Sequence, residues 1–161
     1  MMIDISNIIK LEGAKESFEG EVVFSEETDF GENIRLAKPV RVQGVMENLG
    51  GVFDFHAQGE ADMVFQCARC LKEFTKTVTF SMDERFSKEG NEEYLKIEHN
   101  KADITDAVYM NLLLNLPQRV LCSEQCKGLC SSCGVDRNLS QCDCKKEEGD
   151  PRFAVLKNLL K

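Results

Sequence analysis

Apolar side chains recur at every second position through much of the first half of the chain. Val40 and Val42 alternate with charged neighbours, and Gly50-Gly51 is a turn signal. Every odd position from Phe53 to Cys67 is then apolar or small, through Phe55, Ala57, Gly59, Ala61, Met63 and Phe65. A period of two puts these residues on one face of a half-buried β-strand, with a bend or break expected near Gly59. After Cys67-Ala68-Arg69-Cys70-Leu71-Lys72-Glu73, alternation resumes in the other parity at Phe74, Val78, Phe80 and Met82, Lys76 being the exception. The pattern predicts a β-hairpin capped by a Cys-x-x-Cys pair.

Residues 87–101 are polar and predict a loop with one short strand at 94–98. Asp103 is the expected N-cap of a helix over 103–116, with Asp106 favourably placed near its N-terminus. Ile104, Ala107, Val108, Met110, Leu112, Leu113, Leu114 and Leu116 make this helix apolar nearly all round, and Pro117 ends it. A helix of that kind belongs in the core, against the sheet. From Gln118 to Asp150 the apolar density collapses, and so little apolar surface does not cover the roughly 1–2 kcal/mol per residue that ordering a backbone costs. Asp150-Pro151 reads as the start of a final helix, 150–161, with Phe153, Val155, Leu156, Leu159 and Leu160 on one face. The expected class is α+β. An antiparallel sheet or partly closed β-barrel with its core helix occupies residues 1–117, a cysteine-rich segment follows at 118–148, and a C-terminal helix closes the chain.

The cysteines offer what the apolar side chains of 118–148 do not. Eight in 161 residues is about 5%, below the roughly 8–10% of a disulfide-built secreted chain. The first 30 residues hold no basic region followed by an apolar run long enough for a signal peptide or a membrane span, so a cytoplasmic location with reduced thiols is expected. The spacing is Cys67-x2-Cys70, then 51 residues, then Cys122-x3-Cys126-x3-Cys130-x2-Cys133-x8-Cys142-x-Cys144. Four thiolates satisfy a tetrahedral Zn²⁺, and a Cys-x-x-Cys turn presents two of them to one ion. Cys130, Cys133, Cys142 and Cys144 are close enough along the chain to form one local site. By subtraction the hairpin pair, Cys67 and Cys70, takes Cys122 and Cys126, which ties the segment to the hairpin tip. The alternative interleaves Cys122 and Cys126 with Cys130 and Cys133. Two Zn²⁺ per chain are expected, and an iron site of rubredoxin type uses the same ligands. Eight thiols leave no open coordination position, and a β-turn is not the helix N-terminus that a catalytic dithiol needs, so the sites read as structural.

Other chemistry is sparse. His56 lies on the polar parity of its strand and His99 in an acidic loop; both read as solvated surface. There is no nucleophile-elbow, P-loop or dinucleotide-binding motif and no evident acid–base pair of carboxylates, so an enzyme is not expected. The formal charge of −8 is uneven: residues 1–60 carry 5 basic and 12 acidic side chains, residues 101–161 carry 9 and 8. Two zinc ions, each held by four thiolates, would take the total to about −12. That balance favours a basic partner over bare nucleic acid, with Arg69, Lys72 and Arg137 as candidate local contacts to RNA or a partner.

The residues also resemble a known family. Cys67-Ala68-Arg69-Cys70-Leu71 at a hairpin, the helix ending in Leu114-Asn115-Leu116-Pro117, and the run Cys122-Ser123-Glu124-Gln125-Cys126-Lys127-Gly128-Leu129-Cys130-Ser131-Ser132-Cys133-Gly134 are similar to the YceD family of bacterial and plastid proteins. The likeness continues through Asn138, Cys142-Asp143-Cys144 and Asp150-Pro151-Arg152-Phe153-Ala154-Val155-Leu156. The resemblance implies a non-catalytic role in ribosome biogenesis, in the accumulation of large-subunit ribosomal RNA. Its expected partner is a basic ribosomal protein or a pre-ribosomal particle, with direct contact to ribosomal RNA as the alternative and thiol redox or metal sensing as a third reading. The resemblance also implies that some members lack the set of Cys130, Cys133, Cys142 and Cys144 while keeping the hairpin Cys-x-x-Cys and ligand-type residues after the helix, as befits a local site lost as a unit.

Overall fold

The computed structural model describes residues 1–144. The expected helix at 150–161 and the end of the cysteine-rich segment lie outside the described residues.

The hairpin read from the alternation is the longest feature of the fold. Strands β5 (Val52–Gln66) and β6 (Glu73–Ser87) pair antiparallel along their whole length, from Val52 opposite Ser87 to Gln66 opposite Glu73. β4 (Val40–Asn48) pairs with β5, and β2 (Lys15–Val22) pairs with β4 at one edge of the sheet. The short β3 (Arg35–Leu36) sits on β5 beyond the start of β4. β7 (Leu95–Glu98), β8 (Lys101–Asp103) and β1 (Met2–Asp4) complete the sheet on the side of β6. The Met1 side chain then lies against Gly20 of β2, so the two edges of the sheet approach each other and the structure is a nearly closed sheet with one helix.

Phe53, Phe55, Met63, Phe65, Phe86, Met46 and Met82 fill the interior, all of them on the parity read from the sequence. Two expectations about the sheet need correction. β5 runs unbroken through Gly59, because the ring of Phe80, its cross-strand partner, occupies the place where a Cβ would sit. The missing side chain makes room for an aromatic ring and leaves the strand intact. The sheet is also not wholly antiparallel, since β7 runs parallel to β6, Phe86 opposite Leu95 and Ser87 opposite Lys96. This ladder is only two residues long, so the chain has little distance to recover. It does so through residues 88–94, where Asn91 accepts the amides of Glu93 and Tyr94, both at 2.8 Å.

Helix α1 (Thr105–Asn115) packs mainly on β6 and buries Ala107, Val108 and Leu112. It is not enclosed on all sides, for Met110 and Leu114 face outwards, 55% and 79% exposed. Its apolar circumference does not correspond to a buried one. The helix starts two residues later than read: Asp103 ends β8, and the buried Ile104 holds the cap position without a side-chain bond. Asp103 still serves the helix start, its Oδ1 accepting the Thr105 N–H at 3.0 Å. At the other end Leu116 is extended, as a residue before proline must be. Pro117 therefore turns the chain out of the helix and back towards the hairpin tip. Among the described residues no helix is long and apolar enough to cross a membrane.

Candidate metal centres

The tip of the β5–β6 hairpin and the chain beyond α1 are joined first by backbone. The Ala68 N–H donates to the Val120 carbonyl at 2.9 Å, and the Leu129 N–H to the Arg69 carbonyl at 3.0 Å. Gly128 permits the second contact: its φ is +71°, and a Cβ there would meet the Arg69 oxygen at 2.9 Å. The Arg69 guanidinium adds a third bond, from Nη1 to the Cys126 carbonyl at 2.8 Å.

Four sulfurs converge within this clasp. Cys67 and Cys70 from the tip meet Cys122 and Cys126 from the tail, with all four Sγ atoms within 4.8 Å of one another. The Cys67–Cys126 and Cys70–Cys122 separations are 3.8 and 3.6 Å. A tetrahedron with zinc–sulfur distances of about 2.3 Å has sulfurs about 3.8 Å apart, whereas a disulfide would bring them to about 2.05 Å. The set is buried: Cys67, Cys70 and Cys126 are at most 7% exposed and pack with Phe74, Leu121 and Leu129.

Cys130, Cys133, Cys142 and Cys144 form a second cluster of the same dimensions, with Cys133 and Cys144 exposed. The interleaved arrangement of Cys122 and Cys126 with Cys130 and Cys133 does not occur. Both Cys-x-x-Cys turns are the same knuckle. In the first, the Leu71 N–H donates to the Cys67 carbonyl at 2.9 Å; in the second, the Gly134 N–H donates to the Cys130 carbonyl at 2.9 Å. The residue after the second cysteine is left-handed in each, Leu71 at φ +60° and Gly134 at +74°.

The electrostatics of both clusters fit a cation. Burial pushes the Cys67 thiol up, but the amides of Cys122, Arg69 and Cys70 outweigh it and bring it down to about 6. Burial, together with the sulfurs of Cys70, Cys126 and Cys67, pushes Cys122 up to about 12. The second cluster repeats the contrast. The amides of Cys133 and Ser132 pull Cys130 down to about 6, and the Cys133 sulfur, followed by burial, pushes Cys144 up to about 12. One thiolate forms readily in each set while another thiol is held protonated by burial and the surrounding sulfurs, so at neutral pH ionising all four calls for a positive ion among them. A soft divalent ion suits that donor set and, held by four thiolates, has no position left for water or substrate.

The comparisons with known proteins bear on the same residues. The profile of a family described as large ribosomal RNA subunit accumulation protein YceD matches residues 55–160, a span that includes both cysteine clusters and α1. The chain belongs to the YceD family. Uncharacterized protein YlbN of Bacillus subtilis (strain 168) is 34% identical over 158 residues, 91% of this chain and 90% of its own length. Large ribosomal RNA subunit accumulation protein YCED homolog 1, chloroplastic, of Arabidopsis thaliana is 36% identical over 56 residues, 35% of this chain and 16% of its own. No solved structure matches the chain.

The remaining site candidates separate on their surroundings. In this YceD chain Arg69, Lys72 and Arg137 are all exposed, but Arg69 has committed one guanidinium nitrogen to the clasp. Arg137 is tied by its backbone, its N–H donating to the Gly128 carbonyl at 3.0 Å, which leaves its side chain outside. His56 and His99 are exposed as read, and His56 Nδ1 lies 2.5 Å from Asp83 Oδ1. Asn138 is a site residue that neither period nor spacing singles out. Its Oδ1 accepts the Lys127 N–H at 2.7 Å, and its Nδ2 lies 3.5 Å from Cys126 Sγ. The bond pattern of an amide between two loops leaves no trace in hydrophobic periodicity.

Proposed function

We propose that the chain is a non-enzymatic, zinc-binding factor of ribosome biogenesis that acts in the cytoplasm and supports accumulation of large-subunit ribosomal RNA. Two zinc ions per chain would be held by Cys67, Cys70, Cys122 and Cys126, and by Cys130, Cys133, Cys142 and Cys144. The observation that carries the reading is the convergence of eight free thiols into two four-sulfur clusters in a chain of the YceD family. Zinc at the first cluster would pin the segment 118–148 to the hairpin tip and so supply the order that its few apolar side chains do not.

The partner in this reading is a basic ribosomal protein or a pre-ribosomal particle. Its support is the charge of −8 and the exposure of Glu19, Glu21, Glu26, Glu27 and Glu32, which have no ion-pair partner among the described residues. Lys72 and Arg137 stand outside the acidic region and are the residues free to touch RNA or an assembly intermediate locally. Affinity capture from cells, with and without a zinc chelator, tests the function when bound protein and RNA are both identified. Large-subunit proteins or precursor RNA recovered from the zinc-loaded chain and lost on chelation are the expected result. Recovery of neither removes the proposal.

A further inference from the structure

The strand of chain between the two clusters is short and shared, since Cys126 is the last cysteine of the first and Cys130 opens the second. The second cluster's loop folds back along that strand. Cys130 N–H donates to the Val135 carbonyl at 2.8 Å, Leu129 and Asp136 form a bridge, and Arg137 N–H reaches the Gly128 carbonyl. The fold-back ends on Asn138. Every polar atom of its side chain is engaged there: Oδ1 takes the Lys127 N–H, and Nδ2 donates to Asp136 Oδ1 at 2.6 Å and towards Cys126 Sγ at 3.5 Å. Its own backbone N–H is fixed by the same Asp136 oxygen at 2.8 Å.

The geometry points to Asn138 as a positioning residue through which the second cluster tunes the first, an inference that rests on the proposed metal binding. An N–H aimed at a ligating sulfur spreads its negative charge and orients it towards the ion. Only an amide meets the three demands made at position 138, two donors and one acceptor; a carboxylate of the same shape would place negative charge against both Asp136 and Cys126. The coupling runs through the loop. The second cluster closes the loop that carries Asn138, and Asn138 acts on a sulfur of the first cluster, so filling the second strengthens the first and, by linkage, filling the first strengthens the second by the same factor. The second centre is in this sense a brace for the buried one.

The test is a cycle of variants on the full chain, read by competitive zinc titration and by the thiolate-to-metal absorption of the Co²⁺ form. Asn138→Asp should weaken one of two bound zincs by roughly 10–100-fold, the range for loss of an outer-shell partner, and shift the Co²⁺ charge-transfer band. With Cys67→Ser and Cys70→Ser in place, only the second cluster binds, and Asn138→Asp should leave its affinity unchanged. With Cys130→Ser and Cys133→Ser in place, the first cluster should already be weakened, and Asn138→Asp should add little. Far-UV circular dichroism checks that the sheet is retained in each variant. Two zincs bound with an affinity and spectrum indifferent to Asn138 would overturn the coupling alone. A parent chain that takes up no zinc overturns the metal reading itself, and this inference with it.

Discussion

In the first cysteine cluster the ligand pairs come from distant parts of the chain, Cys67 and Cys70 from the tip of the longest hairpin and Cys122 and Cys126 from beyond Pro117, and three of the four are buried. In the second, all four lie between residues 130 and 144 and two are exposed. The same knuckle serves both. What differs is who assembles it. The 51 residues between Cys70 and Cys122 are already folded as β6, β7, β8 and α1, so the sheet itself delivers the tail to the tip. The second cluster has no such scaffold and closes only a small loop. A centre supported by the fold can help hold the fold's two ends together, whereas a local one can be gained or lost without disturbing the sheet.

The largest effect that would break this contrast is removal of the first centre. Cys67→Ser with Cys70→Ser should release residues 118–144 from the hairpin, with β5, β6 and the locally closed second centre retained; hydrogen exchange would show amide protection lost over about residues 118–129 and kept in the two strands. Structural zinc in small peptides contributes roughly 10–16 kcal/mol of apparent binding energy, against about 1 kcal/mol for each hydrogen bond of the clasp. Equal loss of protection in β5 would mean that the sheet depends on the clasp. Removing the second centre with Cys133→Ser and Cys144→Ser should confine the loss to about residues 130–144 and leave one zinc, as counted by elemental analysis.

Proton release sharpens the comparison next. Cys122 and Cys144 stand at about 12, and Cys70 and Cys142 are also raised, Cys142 by its contact with Cys130 and Cys70 by burial and the Cys67 sulfur, against the amide of Lys72. These four are protonated at neutral pH without metal, so each zinc should expel at least about two protons on binding. Affinity at both centres should therefore rise with pH through the neutral range and fall on acidification. Calorimetry at pH 7 in buffers of different ionisation enthalpy measures the number; release of fewer than one proton per zinc would exclude four-thiolate ligation.

The smallest effect tests the knuckles against each other. A left-handed conformation costs most side chains roughly 1–2 kcal/mol, and Gly134 has open space where its Cβ would be, so Gly134→Leu should destabilise the second centre by about that amount. Leu71→Gly should relieve the same strain at the first and cost nothing or gain up to about 1 kcal/mol, offset by the freedom glycine brings to the unfolded chain. Thermal unfolding of the zinc-loaded variants gives both values. A large destabilisation by Leu71→Gly would show that the half-exposed Leu71 side chain is held by contacts of its own.

Much of this was legible before folding. The alternation at 53–67 and 74–82 marked the two strands and their buried face, because a sheet with one side in the core must repeat with period two. The cysteine spacings separated the local set from the long-range one for a similar reason, since short loops close on themselves. The helix start, parallel pairing and the bonds of Arg69, Gly128 and Asn138 were not legible. Each depends on which distant group arrives, and one-dimensional patterns carry no such information.

Sequence alone thus determined the local quantities: the period of the strands, the knuckle at each Cys-x-x-Cys, the charge of −8 and the supply of eight thiols. The tertiary structure decided everything that needs two parts of the chain in one place. It seated the Phe80 ring on Gly59, so that β5 runs unbroken, and it turned Met110 and Leu114 outwards on a helix that looked apolar nearly all round. It also set Asn138 between the two clusters. The physical reason is common to all three: burial and hydrogen bonding are properties of a neighbourhood, and the neighbours here come from residues far apart in the chain.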